Sequence, residues 1–486
     1  VRFQAAIFVK LVKDYMMPVP LAVSASTPCG EVVARMVEQS ASGATVIDHD
    51  DRPLGIVTEH DIVHRVVFQQ SPDTAIDQVM TTPVATVEAD DYLYRAIARM
   101  RRADLRHMPA VDDDGRLVGM LDLHDAIADG AGPMMDQIDR LTHEGTLDGL
   151  ARVKDAQIEL AGDLIADTMP APDIQALLTH INNDIYRRVV EASLRAMADD
   201  GLGEPPVRFS VIVMGSGGRG ENYLFPDQDN GFILEDYADG DHDRIDGFFI
   251  ELAERMTRDL DLIGFPLCKG YVMAVNPLWR KTLSQWIEQI HLWSRKRSVT
   301  AIRLADIFFD FQPVCGDNTL AIRLRDAVTD LTRGNHPFLQ RMFHEEADHG
   351  VALGFFGGFK TMKDEDSGKD VVNLKHAGLL PLVETVRLLA LRDGIRATST
   401  MARIEALHAG GAITGNDREF LLGGQRILTD VLLAAQIKAF KNKQTVGYRI
   451  DPETLSKRRS EQLVEALKSI RRLRSQVRGE FTGEVF

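Results

Sequence analysis

The feature that most restricts this chain is a gapless internal repeat. Shifted by 64 residues, the step from Met16 to Met80, the sequence falls onto itself. Val23 lands on Val87, Ala34-Arg35-Met36 on Ala98-Arg99-Met100, Asp48 on Asp112, Arg52 on Arg116, Gly55 on Gly119 and His60-Asp61 on His124-Asp125. Each copy reads as an extended lead-in and a helix carrying Val32, Val33, Met36 and Val37, or Leu93, Ile97 and Met100. A strand, a turn (HDDRPLG or DDGRLVG), a second strand and a helix opening at Asp61 or Asp125 follow.

The rest of the chain needs more than this module. At 486 residues it is long enough for about three domains, and 44% apolar with 26% charged residues is an ordinary globular balance. The formal charge of -16 opposes general attraction to phosphate backbones and anionic lipid, so nucleic acid is not an expected partner. Cys29, Cys268 and Cys315 are far apart with no CxxC pair, which argues against a disulfide framework or zinc cluster and for a reducing cytoplasm. No uninterrupted apolar run reaches the ~20 residues of a membrane span, and the opening segment is broken by Lys10 and Lys13. Neither a signal peptide nor a membrane anchor is expected.

The Met-Pro lead-in, VxD strand, Asp-Gly turn and G-I-V-T-x-x-D close resemble a tandem pair of CBS domains over residues 15–130. The resemblance implies a pseudo-twofold module that holds an adenine nucleotide (AMP, ADP or ATP), regulates an attached activity and favours a homodimer. It places Thr58 and Asp61, with Asp122 and Asp125 in the second copy, where ribose hydroxyls and phosphates are read. Asp122 stands where Thr or Ser is usual. The residues themselves leave a second reading open, because Asp61 and Asp125 are equally good helix N-caps. His60 and His64, four apart, read as a solvated helix face because no further ligand completes a metal site.

Residues 131–206 read as a helical linker region, with a hinge at Gly130-Ala131-Gly132-Pro133. The β-branched run from Arg208 to Met214 then meets Gly215-Ser216-Gly217-Gly218-Arg219-Gly220-Glu221, and Asp227-Gln228-Asp229 opens a second apolar run. The expectation is strand, glycine-rich turn with a short helix, and a strand beginning at the Asp-Gln-Asp. Alternation along such a strand puts Asp227 and Asp229 on one side, able to share Mg2+, while the Gly-Ser turn lets backbone amides approach phosphate. These are the parts that phosphoryl or nucleotidyl transfer needs. A loop-to-strand turn that merely favours Asp accounts for the two acids as well.

The ordered set resembles the nucleotidyltransferase superfamily of polymerase β and the PII-protein uridylyltransferase. More closely, it resembles bacterial signal-transduction nucleotidyltransferases in which a CBS pair precedes the transferase and a helical substrate-binding-like domain follows. The stretches GFPLCKGYVMAVNPLW, DIFFDFQPVCGDNTL and NLKHAGLLPLVETVRLLALRDG fit it too. The resemblance implies a multidomain α/β plus all-α architecture: an N-terminal segment 1–14, the CBS pair 15–130, the helical region 131–206, a transferase domain 207–318 and a helical domain 319–486. Gly215 and Ser216 would hold nucleotide phosphates, Asp227 and Asp229 the metal, and Arg219 the phosphates or the loop. The substrate would be ATP or UTP and the acceptor a hydroxyl on a signalling protein, with a catalytically silent nucleotide sensor as the alternative.

Three positions depart from that pattern. Pro226 replaces a hydroxyl residue, Gln312 stands where Arg is frequent, and the expected strand GFPLCKGYVMAV lacks the third carboxylate that would activate the attacking hydroxyl. Asp306 and Asp310 are the candidates for that acid, with capping or solvent exposure as their alternatives. Cys268 reads as a packed small hydrophobe. Toward the C-terminus, Leu379, Leu382, Val383 and Val386, then Leu421, Leu422, Val431 and Leu432, then Leu463, Leu467, Ile470 and Val477, mark helices of an antiparallel bundle. The basic residues of the last one, from Lys457 to Arg478, read as its wet side. Lys375, His376 and Arg387 are its first polar residues to test.

Overall fold

The computed structural model describes residues 5–18, 21–66, 70–127, 138, 141, 142, 146–295, 299–346, 349–354, 357–364 and 368–482. The expected hinge at Gly130–Pro133 lies outside the described residues. The chain divides into two compact units, Val1–Glu144 and Gly145–Phe486.

In the first unit, strands β1 (Met17–Pro18), β2 (Ala22–Ser24), β3 (Gly43–Ile47) and β4 (Pro53–Thr58) come from the first copy, and β5 (Val87–Glu88), β6 (His107–Val111) and β7 (Leu117–Asp122) from the second. They form two sheets, in the orders β2-β3-β4 and β1-β7-β6-β5. Each sheet combines a parallel pair with an antiparallel hairpin. The lead-ins are exchanged. Met17 of β1 pairs with Met120 of β7, and the equivalent residue Thr81 bridges Ile56 of β4. A Cβ on Gly55 would fall 2.4 Å from Met80 Sδ, and one on Gly119 would fall 2.4 Å from Met16 Sδ. The glycine and methionine of each copy are therefore repeated because the contact between copies is repeated. Val23, Val32, Met36, Val46, Val57 and Ile76 fill the first copy's core.

The second unit is built on a mixed sheet of β8 (Phe209–Val213), β9 (Asn230–Leu234), β10 (Arg280–Thr282) and β11 (Gln312–Gly316), ordered β10-β9-β8-β11. All of FSVIV and NGFIL is buried, as continuous apolar strands covered on both faces should be. The helices Leu147–Ala166, Ala171–Asp199 and His242–Ile263 pack on one another. The region expected as a linker is thus an integral part of this unit, and Lys154, Gln157 and Asn182 are buried there in mutual hydrogen bonds. Two expected strand limits also move. β9 begins at Asn230, opposite Val213, so Asp227-Gln228-Asp229 is the loop leading into it. Residues 264–275 are not a strand but an irregular segment, tied to the loop by Gln228 N donating to the Pro266 carbonyl and Asn230 N to that of Val272.

The C-terminal part adds the helices Leu380–Asp393, Thr400–Ala409, Gly415–Lys441 and Lys457–Thr482, and a small sheet of β12 (Met362–Lys363), β13 (Asp370–Asn373) and β14 (Arg449–Ile450). Gly394, at φ +71°, closes the first of these helices. Gly415–Lys441 is long and apolar enough to cross a membrane, but it packs on the helices before and after it and on Ala171–Asp199. In the last helix Leu463, Leu467, Ile470 and Val477 are buried, while Arg459 and Arg472 pair with Asp430 and Asp417.

Candidate functional site

β8 ends at Val213, and after Met214 the segment Gly215–Arg219 makes one short helical turn. Gly215 (φ +57°) and Gly220 (φ +74°) occupy the left-handed region that glycine adopts freely. Two of the glycines also sit close to acids, and at Gly218 the closeness excludes a side chain. A Cβ on Gly215 would lie 3.1 Å from Asp229 Oδ2, and one on Gly218 would lie 1.6 Å from the Asp310 carbonyl oxygen. The loop's own folding thus accounts for these glycines without a ligand, and it brings the turn against the second acid. Ser216 Oγ donates to Asn222 Oδ1 at 3.1 Å, and Asn222 N donates to Thr179 Oγ1 at 2.9 Å.

Gln228 points inward, its Nε2 donating to the carbonyls of Thr257 (3.1 Å) and Phe265 (2.9 Å), while Asp227 is exposed and Asp229 half-buried. Burial, reinforced by the charge of Asp227, pushes the Asp229 carboxyl up to about 6 against a hydrogen bond from the Cys268 thiol and the cations Lys375 and Arg219. Neither acid is ion-paired among the described residues. Cys268 is not merely a packed hydrophobe: its thiol faces Asp229. Burial and that carboxylate push it up to about 11, so it is no thiolate nucleophile.

Two groups come from distant sequence. Lys375 Nζ stands 4.3 Å from the centre of the Tyr448 ring, which meets the buried Tyr223 edge-on at 5.7 Å. Spacing gave no signal for Tyr448, and Lys375 was legible only as a polar residue on an apolar stretch. His376 is exposed, with its ring 5.9 Å from that of His349.

The candidates for a third acid are engaged elsewhere. Asp310 is fully buried and receives Arg219 Nη1 at 2.7 Å, Arg387 Nη1 at 2.8 Å and Arg403 Nη1 at 2.7 Å. Burial alone would raise its carboxyl, but the three guanidiniums outweigh that and hold it well below the usual carboxylate range. A carboxylate so held is a poor proton acceptor. Asp306 pairs with the other face of Arg387. Arg219 bridges Asp310 and Glu221 (2.8 Å), and Glu221 Oε1 accepts from Thr400 N at 2.7 Å. Arg219 thus ties the glycine-rich turn to Glu221 and Asp310.

In the first unit, the acids of the two copies differ. Asp61 Oδ2 accepts from Thr58 N (2.9 Å) and Thr58 Oγ1 (2.8 Å), closing a capping box, and Oδ1 meets Thr81 Oγ1 at 3.3 Å. Asp122 is buried, accepts from His124 N at 2.8 Å and pairs with Arg106 at 3.1 Å. Asp125 is exposed and has no hydrogen bond or ion pair among the described residues.

Comparison with known proteins agrees with this division. Residues 12–67 and 76–130 match the CBS domain family, 155–299 the family described as "Putative nucleotidyltransferase DUF294", and 336–481 the "Putative nucleotidyltransferase substrate binding domain". Curated relatives include an uncharacterized protein of Methanopyrus kandleri, 35% identical over 99 residues that make up 20% of this chain and 50% of that one. Another is the CBS domain-containing protein CBSCBSPB1 of Arabidopsis thaliana, 30% identical over 125 residues, 24% of this chain and 23% of that one. The chain therefore spans half or less of the length of these relatives. Among solved structures, a CBS domain protein of Pyrobaculum aerophilum complexed with AMP is 23% identical with a TM-score of 0.24, covering 26% of this chain and 98% of that one. By its successive family matches, the chain joins a CBS pair to a domain of the "Putative nucleotidyltransferase DUF294" family and to that family's C-terminal substrate-binding domain.

Proposed function

We propose that the second unit is a Mg2+-dependent nucleotidyltransferase, moving a nucleoside monophosphate from ATP or UTP to a hydroxyl on a protein substrate, and that adenine nucleotide on the CBS pair sets its rate. One observation carries this reading: Asp229 abuts the turn that bears Gly215 and Ser216, Asp227 stands two residues before it, and neither acid is ion-paired among the described residues. Two hard oxygen donors, one shielded enough to hold its proton up to about 6, are a site whose charge calls for a cation. Magnesium there would neutralise phosphate charge and orient the phosphates for in-line displacement. The chain supplies the rest. Amides of the turn opening at Gly215 face the phosphates, Ser216 offers its hydroxyl, and Arg219 holds the loop through Glu221 and Asp310. At the CBS pair, Asp125 is the carboxylate available to a ribose, and Thr58, Asp61 and Asp122 shape the surrounding turns.

The engagement of Asp310 and Asp306 by arginines favours a second reading, a nucleotide sensor that transfers nothing. Incubation with labelled ATP or UTP, Mg2+ and cell lysate separates the two. Label on protein that is lost in Asp229→Ala and with a chelator supports the transferase. Binding of nucleotide with no transfer under any of these conditions leaves the sensor. Sedimentation of the full chain tests the homodimer expected of a CBS pair.

A further inference from the structure

Lys375 is the cation of the site that has no ion pair among the described residues. It opens the turn 375–379 that feeds the Leu380–Asp393 helix, and with Ser216 and Tyr448 it lines a cavity of about 40 Å3. Burial disfavours its charge, and Asp227 and Asp229 are near enough to oppose that effect. Even so, Lys375 Nζ has neither a hydrogen bond nor an ion pair among the described residues, and the Tyr448 ring face is its one contact of note. A partly desolvated ammonium without an anionic partner is costly. The same cavity is lined by Arg219, whose charge further disfavours an isolated ammonium at Lys375. An ammonium unpaired among the described residues, next to two acids able to hold a metal, is a receptor for an anion bridged to that metal. A polyphosphate chain is such an anion.

We propose that Lys375 is a phosphate-binding residue, brought to the glycine-rich turn by the C-terminal part of the chain, and that it takes the terminal phosphates of a nucleoside triphosphate whose metal rests on Asp227 and Asp229. The inference deepens the nucleotidyltransferase reading and rests on it. Lysine suits the role as a compact, rotatable point charge that needs no fixed fork geometry. The Tyr448 ring steers it without neutralising it, as a carboxylate would.

The test is equilibrium binding of UTP, UMP and inorganic triphosphate with Mg2+ to the full chain, counting only the binding that Asp229→Asn removes, so that nucleotide at the CBS pair does not enter. Lys375→Met should weaken UTP and inorganic triphosphate about tenfold or more, the loss expected of one charge-assisted contact. UMP should change by less than about twofold, since it has no terminal phosphates for Lys375 to hold. Lys375→Arg should recover most of the loss. A general disturbance of the fold would weaken mono- and triphosphate alike, so their ratio decides. If Lys375→Met lowers the thermal midpoint, Lys375→Gln is read in its place. An unchanged ratio in the presence of Asp229-dependent binding overturns the role of Lys375 and leaves the transferase reading standing. Wild-type protein without any Asp229-dependent binding overturns both.

Discussion

Gly217 and Gly218 are adjacent in the same turn and identical in sequence terms, yet their surroundings differ. A methyl on Gly217 meets Val213 side-chain atoms at 3.5 Å, an ordinary contact, whereas on Gly218 it would collide with the Asp310 backbone. Gly218→Ala should therefore destabilise the second unit by about 3 kcal/mol or more, as overpacking against backbone does. Gly217→Ala should stay within about 0.5 kcal/mol of wild type. Urea unfolding of the pair gives the comparison. Lys154 offers a second test at this scale. Burial drops its amine to about 7 from the ordinary 10.5, with Asn182 Oδ1 at 2.9 Å and the Phe265 ring at 4.4 Å. Between those two values the unfolded chain binds the proton and the folded chain does not, so Lys154 makes stability rise with pH across that window. Lys154→Met should remove this rise and stabilise most at pH 7 and below. Denaturant midpoints of both proteins at pH 6.5 and pH 10 measure the difference, and an equal offset at the two values would refute it.

At the scale of elements, the two copies of the first unit are held by exchanged lead-ins, so a fault in one strand should be felt through its partner. Gly55→Ala presses a methyl on Met80, and the backbone oxygen of Thr81 lies 3.1 Å from the same point. The variant should lose about 1–3 kcal/mol. Combined with Met80→Ala, the loss should be smaller than the sum of the single changes, a coupling of about 0.5 kcal/mol or more. Strict additivity would mean that the exchange seen in β4 and at Thr81 does not bear load. In the second unit the glycine-rich turn is tied in the same manner to distant helices, through Arg219, Asp310, Arg387 and Arg403. The C-terminal helices thereby set the position of the loop that faces the proposed nucleotide.

For the whole molecule, the prediction concerns regulation. The Asp61 carboxylate is closed into its capping box, whereas that of Asp125 has no partner among the described residues, so the adenine-nucleotide site proposed for the first unit should depend on Asp125. Calorimetry with AMP, ADP and ATP should show a site lost in Asp125→Ala. Asp61→Ala should chiefly cost stability, about 1 kcal/mol for the capping-box bonds it makes back to the N-cap Thr58. If transfer by the second unit is under CBS control, its rate should respond to AMP in wild type and not in Asp125→Ala. Nucleotide binding that survives Asp125→Ala and disappears in Asp61→Ala would reverse the assignment of the two copies.

By itself, the sequence determined whatever is written in local order or in repetition. The 64-residue shift disclosed the CBS pair because each copy must make the same contacts, and the succession of apolar run, GSGGRGE and Asp-Gln-Asp disclosed the transferase loop because its geometry is local. Where β9 starts was less legible, since Asp227 to Asp229 continue the apolar run's pattern without joining its ladder. The fate of the aspartates was settled only by the tertiary structure. Asp310 looks like any acid flanking aromatic residues until Arg219, Arg387 and Arg403 arrive from three distant segments, and Lys375 and Tyr448 reach the turn across more than one hundred intervening residues. A carboxylate's chemistry is fixed by the charges and the solvent around it, and those depend on how remote parts of the chain pack.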